Sequence, residues 1–462
     1  MSTAEPETEP TLDAGLPTGP LGERARWMLS LLRYIAENGV DAVDFATVQP
    51  EFVPSTGDRP IDEDWLRGAW GTAARRMGAG KVVDVEHGEH DEHGEETKLS
   101  VLLEVDGGRR FWLSMETEPL PPHRIVRWET APAVPGGVTI RRADPSDGPG
   151  LARLERDAPI VLGDRSMRFE HDGDYLASWA LLEEPGAVVA ETEHGIVAAV
   201  SSSVVPLRVG GRVYRTRYTH RVRTHPQHAG TGMLQHLTRA GLEAMPLGVA
   251  MDALVVCIGQ GNEAMLKGWA GRPGQWPVSP TRCLLDTAAI ADAAAASEVQ
   301  RGADVDRVIA CLNATHDQDE GYVPYTPATF EGRLTSAPNL YGPQSLWAFG
   351  DAVVGIWEAG RSVRTIVTTP DTESTERRAI AADWGIQPGG EDDLERLLRG
   401  ISVGLSERGL THLAVYASPP TPGWDVLQAL AVTCDTFDMW TLPIMPAADA
   451  AQRGTYVDAL AF

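Results

Sequence analysis

The chain has 462 residues, which corresponds to about three domains at roughly 150 residues each. Hydrophobic residues make up 42% and charged residues 23%, a globular composition that excludes a wholly disordered, collagen-like or coiled-coil chain. Lys and Arg number 40 against 65 Asp and Glu, so the formal net charge is −25. A field of this sign repels nucleic acid and anionic membranes, excludes both as expected partners, and attracts small cations.

Cysteine usage and the N-terminus indicate the compartment. The four cysteines, Cys257, Cys283, Cys311 and Cys434, are scattered without a C-x-x-C pair, which argues against a zinc ribbon or a disulfide scaffold. The N-terminus lacks a basic and apolar leader pattern, and no later run approaches ~18 apolar residues. We therefore expect a cytoplasmic protein without a bound metal.

The first third of the chain predicts a tail and an α+β domain. Residues 1–20 are rich in Pro and Glu and are expected to be disordered. In residues 21–131, helical spacing predicts one helix ending at Gly39 and a second near Asp62 to Met77. Four stretches with a period of two then predict an antiparallel meander: KVVDVEH, TKLSVLLEVD, RRFWLSMETE and RIVRWETA. The segment FWLSMETEPLPPHRIVRWE resembles the nuclear-transport-factor-2-like (NTF2-like, cystatin-like) superfamily, which implies a cone-shaped fold.

Two further domains of mixed α/β pattern are expected at 138–287 and 303–462. The first begins after a Pro/Gly hinge and contains a strand, a helix, three strands, a glycine-rich turn, a helix and the buried strand DALVVCI. The second shows a helix, a hairpin, a strand, an amphipathic helix, a buried strand, a helix and a last strand. This repeated order predicts a tandem duplication, joined by an Ala-rich linker or crossing helix.

The glycine-rich turn is the motif that indicates chemistry. A strand ending at Val222 leads through QHAGTG into a helix, so backbone N–H groups converge on the positive end of a helix dipole. Glycine at two positions allows close approach of a phosphate, which predicts a pyrophosphate site. The predicted site residues of the turn are Gln227, His228, Ala229, Gly230, Thr231 and Gly232. The spacing matches neither a Walker loop nor a G-x-G-x-x-G turn.

The turn and its flanking elements resemble the GCN5-related N-acetyltransferase (GNAT) superfamily, with its Q/R-x-x-G-x-G/A signature. The resemblance implies that acyl-CoA, most simply acetyl-CoA, is the co-substrate, with its pyrophosphate on the amides of Gln227 to Gly232. It also implies that the pantetheine extends along Thr219 to Val222 as an added strand. Asn262, in GQGNEAMLKGWAG after the buried strand, would then meet the pantetheine or the leaving thiol.

Two such domains in one chain look like the tandem acetyltransferases of actinobacteria, which include mycothiol synthase and Eis-type enzymes. In the second copy the corresponding turn reads WGIQPGGEDD. Pro388 has no N–H, and Glu391, Asp392 and Asp393 would repel a pyrophosphate. The second copy is therefore predicted to have lost CoA binding.

Acyl transfer to an amine needs a base, because a lysine-like ammonium has a pKa of about 10.4. Alternation along the strand places Tyr218, His220 and Val222 on one face, and His220 is the candidate catalytic base. The alternative is a histidine that packs under the helix or lies exposed at the edge of the sheet. The tyrosine that the family often supplies as acid after Asn262 is absent, since Met265, Leu266 and Lys267 occupy the positions.

Three other groups each have a functional and a structural interpretation. His87, His90 and His93 could gather a divalent metal, but charged loops of this kind are usually solvated. Cys257 could be a nucleophile or a core residue. Five tryptophans of the first domain could line a pocket or form its core: Trp27, Trp65, Trp70, Trp112 and Trp128.

The sequence therefore predicts an acyl-CoA-dependent N-acyltransferase acting on a primary amine of a small molecule, with cationic acceptors favoured by the net charge. The alternative hypothesis is a non-catalytic binding or accessory protein in which both acetyltransferase copies are inactive and the NTF2-like domain recognises the ligand. Self-association into a homo-oligomer is compatible with either interpretation.

Overall fold

The computed structural model describes residues 16–56, 59–77, 80–88, 97–105, 109–245, 250–269, 274–276, 279–442 and 454–460. By its internal contacts the chain divides into two compact units. The first comprises the described part of Met1–Val138 together with Gly230–His236, and the second comprises Thr139–Ala229 together with the described part of Leu237–Phe462. Within the described ranges, no helix is both long enough and apolar enough to cross a membrane.

The first unit has the predicted order of helices followed by strands. Its main elements are α1 (Pro20–Asn38), α2 (Glu63–Met77), β1 (Lys81–His87), β2 (Lys98–Val105), β3 (Arg109–Thr117) and β4 (Ile125–Pro132). The four strands form one antiparallel sheet in the order β1-β2-β3-β4. Gly39 follows α1 with φ 86°, a backbone conformation that favours glycine, and the predicted end of this helix is confirmed. The alternating burial of β2 and β3 directs apolar side chains to the helices, which closes the core.

The second unit contains the elements that follow, in chain order. They are β5 (Thr139–Arg142), α3 (Gly148–Asp157), β6 (Ile160–Leu162), β7 (Arg165–His171), β8 (Glu183–Thr192), β9 (Gly195–Val209), β10 (Arg212–Thr224), α4 (Met233–Ala244), β11 (Ala253–Gly259), α5 (Glu263–Trp269) and β12 (Thr281–Asp286). After two four-residue helices come α6 (Val305–His316), α7 (Pro327–Ser336), β13 (Leu346–Phe349), β14 (Ala352–Trp357), β15 (Val363–Thr368), β16 (Glu373–Glu376), β17 (Arg378–Ile386), α8 (Glu391–Glu407), β18 (His412–Ala417), α9 (Trp424–Leu430) and β19 (Thr433–Leu442). The four-residue helices, Thr287–Ile290 and Ala293–Ala296, occupy the Ala-rich segment.

A single twelve-stranded mixed sheet runs through the second unit. From one edge its order is Gln300–Arg301, β13, β14, β17, β18, β12, β19, β11, β10, β9, β8 and β5. The two halves exchange their last strands. Strand β12 pairs antiparallel with β18, and β19 pairs antiparallel with β11. The two predicted copies therefore share one continuous sheet, in which main-chain hydrogen bonds connect strands of one half to strands of the other.

The exchange brings together two cysteines that lie far apart in the sequence. Cys283 of β12 and Cys434 of β19 are cross-strand partners, with their sulfurs 3.6 Å apart, and both are free thiols. Burial raises the pKa of the Cys283 thiol, and the neighbouring Cys434 thiol adds to this shift.

A smaller sheet contains four strands in the order β16-β15-β7-β6. The sequence segment SVRTIVTTP, predicted as a strand, forms β15 and lies in this smaller sheet. The neighbour of β14 in the large sheet is instead β17, with the sequence RAIAADWGI, which was not predicted. Its alanines have low strand propensity, and burial of almost the whole strand overrides that preference.

Candidate functional site

Strand β10, an inner strand of the large sheet, contains a bulge. His220 pairs with Ser201 and Arg223 pairs with Ala199, so two residues of β10 oppose the single residue Val200. The first of the two, Arg221, has φ 49°, which is rare for a residue with a side chain. Bulges of this type bend a strand and redirect its side chains, and they are common beside functional sites.

Next to the bulge, the large sheet opens. The parallel pairing of β10 with β11 runs from Thr216 opposite Ala253 to Thr219 opposite Val256, and then it stops. Both strands continue beyond this point, to Thr224 and Gly259. Among the described residues, the only side chain bonded to the main chain of β10 from His220 onward is that of Arg223, which donates to the Val222 carbonyl at 2.8 Å. The parted edges can accept an extended ligand as an added strand.

The predicted phosphate turn follows β10 directly. Pro226–His228 form a short 3-10 turn, in which the His228 N–H donates to His225 O at 2.8 Å and the Ala229 N–H donates to Pro226 O at 3.2 Å. Gly230 and Gly232 then adopt φ 77° and 80°, and α4 begins at Met233. Both glycines are therefore required by the backbone. The N–H groups of His228 and Ala229 already donate hydrogen bonds within the 3-10 turn. The N–H groups still available to a phosphate at the predicted site are therefore those near its two glycines.

Asn262 lies in the turn between β11 and α5. Its Oδ1 accepts the N–H of Met265 at 3.3 Å, and its own N–H donates to Gly259 O at 3.1 Å. The side-chain oxygen therefore caps a short helix at the end of the strand that borders the opening. The family resemblance implied that Asn262 meets the pantetheine or the leaving thiol, and the structure adds this capping role.

His220 is buried, with 8% of its surface exposed, on the same strand as the bulge. Within the described part of the chain its Nε2 has no hydrogen-bond partner. Burial, reinforced by the charge of Arg221, lowers the pKa of His220 to about 3. The imidazole is therefore neutral at physiological pH and can accept a hydrogen bond, but it holds an added proton weakly.

A buried charged cluster lies on the same side of the sheet as His220. The Glu155 carboxylate of α3 lies 2.8 Å from His171 Nε2, and it accepts the hydroxyl of Tyr175 at 3.1 Å. Burial alone would raise the pKa of Glu155, but the hydrogen bond with His171 and the charges of Arg221 and Arg223 outweigh it and lower the pKa to about 2. The cluster fixes the bulge, because Arg221 stacks over the Tyr175 ring at 5.0 Å.

The corresponding opening in the other half of the sheet is filled by the chain's own side chains. Parallel pairing of β17 with β18 stops at Ala381 opposite Val415. Beyond it, Trp384 Nε1 donates to Tyr416 O at 2.9 Å, across the gap between the strands. Helix α6 satisfies the edge of β17, because His316 Nε2 donates to Trp384 O at 2.9 Å and the Thr315 hydroxyl accepts the Ile386 N–H at 2.6 Å.

The turn after β17 is likewise occupied. The Gln387 N–H donates to Asp351 O and the Gly390 N–H donates to Gln387 O, both at 2.9 Å, while Pro388 has no N–H. The Asp393 carboxylate accepts the Asp351 N–H at 2.8 Å, which places a negative charge at the start of α8. The amides that a phosphate would need in this second turn are largely used internally.

The other candidates from the sequence have structural explanations. Burial raises the pKa of the Cys257 thiol to about 12, which disfavours a nucleophilic thiolate. His87 ends β1, while His90 and His93 lie outside the described residues. Within the described ranges no group of three His, Cys, Asp or Glu residues is placed to hold a metal ion.

The tryptophans of the first unit divide into core and surface residues. Trp70 is fully buried, and its ring packs 4.8 Å from that of Trp128. Trp65 and Trp128 line a surface groove with Asp64 and Glu129. The described part of this unit therefore offers a groove, but no acid–base pair that identifies a reaction.

Comparison with protein families identifies part of the second unit. The model of the acetyltransferase (GNAT) domain matches residues 160–255, which extend from β6 into β11 and include the bulge and the glycine turn. This region is therefore similar to an acetyltransferase (GNAT) domain, and it lies within a mixed α/β fold. A comparison with curated proteins gives no match.

Similar solved structures include N-acyltransferases of low sequence identity. Saccharomyces cerevisiae N-myristoyltransferase with bound myristoyl-CoA is 9% identical, with a TM-score of 0.45 over 67% of this chain and 83% of that one. A GCN5-related N-acetyltransferase from Sphaerobacter thermophilus is 14% identical, with a TM-score of 0.43 over 69% of this chain and 99% of that one. Similarity at this level carries no functional assignment.

Proposed function

We propose that the protein is an acyl-CoA-dependent N-acyltransferase with one active site per chain. The observation that carries the proposal is the opening between β10 and β11, where β10 leads along the chain into a glycine turn, inside the region that matches the acetyltransferase (GNAT) domain. The corresponding opening in the other half is filled by Trp384 and His316. An open edge and a phosphate turn at the end of one strand suit a long, extended cofactor that ends in a pyrophosphate.

The co-substrate binds through the main chain of β10 and the turn that follows. The pyrophosphate of acetyl-CoA, or of another acyl-CoA, lies on the turn Gln227 to Gly232, where α4 contributes its positive dipole end. The pantetheine extends along Thr219 to Val222 and supplies the hydrogen bonds that β11 does not make there. Asn262 contacts the pantetheine at the far side of the opening.

The reaction transfers the acyl group to a primary amine. The nitrogen lone pair attacks the thioester carbonyl carbon, an N–C bond forms as the C–S bond breaks, and the proton lost by the amine ends on the CoA thiol. His220 lies beside the reacting atoms as a neutral imidazole, so it orients the amine by accepting a hydrogen bond. With a pKa of about 3, His220 would be an inefficient general base at neutral pH. Water therefore carries the proton.

The remaining regions support this site. Residues 138–287 form the catalytic GNAT-like domain, and residues 303–462 form a degenerate second copy that completes its sheet through β19. Residues 21–131 form the NTF2-like domain. The alternative function is that of a non-catalytic protein in which this domain recognises a ligand through its groove beside Trp65.

The test combines binding with catalysis. Acetyl-CoA should raise the melting temperature, because it binds the native state selectively, and thiol should be released when a primary amine is added. A matched pair of proline variants distinguishes the loss of the open edge of β10 from the loss of any strand hydrogen bond. Thr219→Pro removes a main-chain donor of β10. Thr411→Pro removes the main-chain donor that bonds Arg377 O before β18, at the end of that strand away from the filled opening, and serves as the control.

Loss of acetyl-CoA binding in Thr219→Pro, with a retained shift in Thr411→Pro, would support the proposed site, provided that circular dichroism shows both variants folded. Absence of any shift and of any thiol release in the wild-type protein would favour the non-catalytic alternative.

A further inference from the structure

An apolar cavity lies on the His220 face of the sheet, next to the opening. Its volume is about 140 Å³, and its walls come from both halves of the second unit. The sheet contributes Val205, Thr216, Tyr218, Val255 and Met439, and the remainder is formed mainly by the segments 321–325 and 456–458. An apolar cavity of about 150 Å³ can hold one benzene molecule, so this volume suits a group of about six carbons.

Strand register connects the cavity to the opening. Val205 pairs with Thr216, Ser203 with Tyr218 and Ser201 with His220, so alternate residues of both strands lie on one face. The first pair and Tyr218 line the cavity, and His220 begins the stretch of β10 that has parted from β11. One step of two residues, about 7 Å, separates the cavity wall from the open edge.

Between the cavity and the opening, the same face of the sheet carries three buried polar side chains that do not line the cavity themselves. Within the described part of the chain, Oγ of Ser201, Oγ of Ser203 and Nε2 of His220 make no hydrogen bond, although each residue is at least nine-tenths buried. Buried polar atoms of this kind are costly unless a ligand or water satisfies them. They therefore indicate a bound group that can form hydrogen bonds, located beside an apolar one.

The cavity offers no free charge. Asp458 lines it, but both carboxylate oxygens accept hydrogen bonds from the Arg333 guanidinium, at 2.8 and 2.9 Å. Thr216 donates its hydroxyl to Val205 O at 2.6 Å. A second ammonium group inside this cavity would be buried without a counter-ion, which disfavours polyamines.

We propose that this cavity is the acceptor subsite, and that it takes a primary amine carrying one uncharged apolar group of about six carbons. The inference rests on the proposed acyltransferase function and adds the substrate class. The amine nitrogen is held at the row of Ser203, His220 and Ser201, while the apolar group fills the cavity beyond Tyr218. An acyl chain in the same cavity would leave these three polar side chains unsatisfied.

The experiment measures thiol release from acetyl-CoA with four probe amines: ethylamine, hexylamine, 2-phenylethylamine and spermidine. We expect kcat/KM for hexylamine and 2-phenylethylamine to exceed that for ethylamine at least about tenfold, since each buried methylene contributes about 0.8 kcal/mol. Spermidine should be the poorer substrate relative to hexylamine. A preference for spermidine or for ethylamine would overturn the proposal.

A variant that fills the cavity gives the second arm. Val457 lies outside the sheet strands, so Val457→Phe occupies the cavity with less risk to folding than a strand residue would, and the exposed Val432→Phe is the matched control. The ratio of kcat/KM for hexylamine to that for ethylamine should fall about tenfold or more in Val457→Phe and remain at the wild-type value in Val432→Phe.

The remaining outcomes separate this proposal from the function itself. An unchanged ratio in Val457→Phe, with acetyl-CoA still bound, would overturn the acceptor subsite and leave the acyltransferase proposal standing. If Val457→Phe instead changes the preference between acetyl-CoA and hexanoyl-CoA, with ethylamine as acceptor, the cavity holds the acyl chain. That result would also overturn the acceptor subsite and leave the acyltransferase proposal standing. Failure of acetyl-CoA to bind the wild-type protein would overturn both.

Discussion

The burial of His220 makes stability depend on pH in a defined window. Its pKa is about 3 in the folded protein and about 6.5 when unfolded, so the unfolded chain binds the proton first as the pH falls. The lowered pKa therefore contributes stability that is present above pH ~6.5 and is lost as the pH falls toward 3. Arg221 disfavours protonation of His220, and the more weakly acting Glu155 favours it.

Replacement of His220 by glutamine should remove this dependence. Between pH 6.5 and 5, wild-type stability should fall about 2 kcal/mol more than that of His220→Gln, at about 1.4 kcal/mol for each pH unit. Denaturant unfolding at the two pH values measures the difference. Parallel losses in the two proteins would show that His220 becomes protonated in the fold, contrary to its burial.

A second residue-scale prediction concerns Arg333. Its guanidinium donates to Asp383 at 3.0 Å and to Asp458, so Arg333→Met leaves two buried carboxylates without their cation. We expect a loss of about 3–5 kcal/mol in the free energy of unfolding, measured with urea. The control is Arg239→Met, at an exposed pair with Glu243, which should cost at most about 1 kcal/mol. Similar losses in both variants would contradict the structural role of the buried pair.

Residue roles could be predicted from sequence only where local backbone geometry determines them. Gly230 and Gly232 were identified because residues without a Cβ, between a strand and a helix, allow a phosphate to approach the backbone, and the structure shows that both also have positive φ. The burial of His220 depends on strand register and on packing by segments that are distant in the sequence. The same holds for the hydroxyls of Ser201 and Ser203, which have no hydrogen-bond partner among the described residues. No local pattern contains that information.

At the scale of elements, the glycine turn provides the sharpest test. Gly232→Glu introduces a side chain at φ 80° and a negative charge at the start of α4, so acetyl-CoA binding should weaken by at least about tenfold. Gly268→Glu places the same side chain at an exposed position of α5 with open space around it. Calorimetry on both folded variants should show a loss only in Gly232→Glu. Equal affinities would remove the turn from the site.

The strands show where element prediction reaches its limit. The meander of the first unit was predicted because its apolar and polar residues alternate, and all four strands are present. The hairpin β6–β7 and strand β17 were missed, since β6 has only three residues, β7 is polar and β17 is rich in alanine. Their positions are set by pairing with β15 and β14, which are distant in the sequence.

For the whole molecule, the filled opening predicts the binding stoichiometry. Trp384, His316 and Thr315 satisfy the strand edge in one half, whereas β10 has no equivalent cover among the described residues. Titration with acetyl-CoA should therefore give one site per chain. A stoichiometry near two would mean that these side chains are displaced by the ligand and that the second turn also binds phosphate.

The exchange of last strands was beyond the reach of sequence analysis. The repeated order of elements predicted two copies, but both β12 and β19 carry patterns that suit either half of the sheet. Only the pairing of β12 with β18 and of β19 with β11 shows that each half is completed by the other. We therefore expect that residues 138–287 produced alone would expose the edge of β11 and fail to form a stable domain.

The net charge of −25 leads to a prediction about acceptor kinetics. A cationic amine is attracted by the field of the protein, and that field is screened as the Debye length falls from about 30 Å at 0.01 M salt to about 8 Å at 0.15 M. At saturating acetyl-CoA, kcat/KM for hexylamine should therefore decline over this range of ionic strength. Aniline carries its primary amine on an uncharged six-carbon ring, is itself uncharged at neutral pH, and should show little salt dependence. Equal salt dependence for the two acceptors would show that the charge serves only solubility, while the site on β10 would remain as proposed.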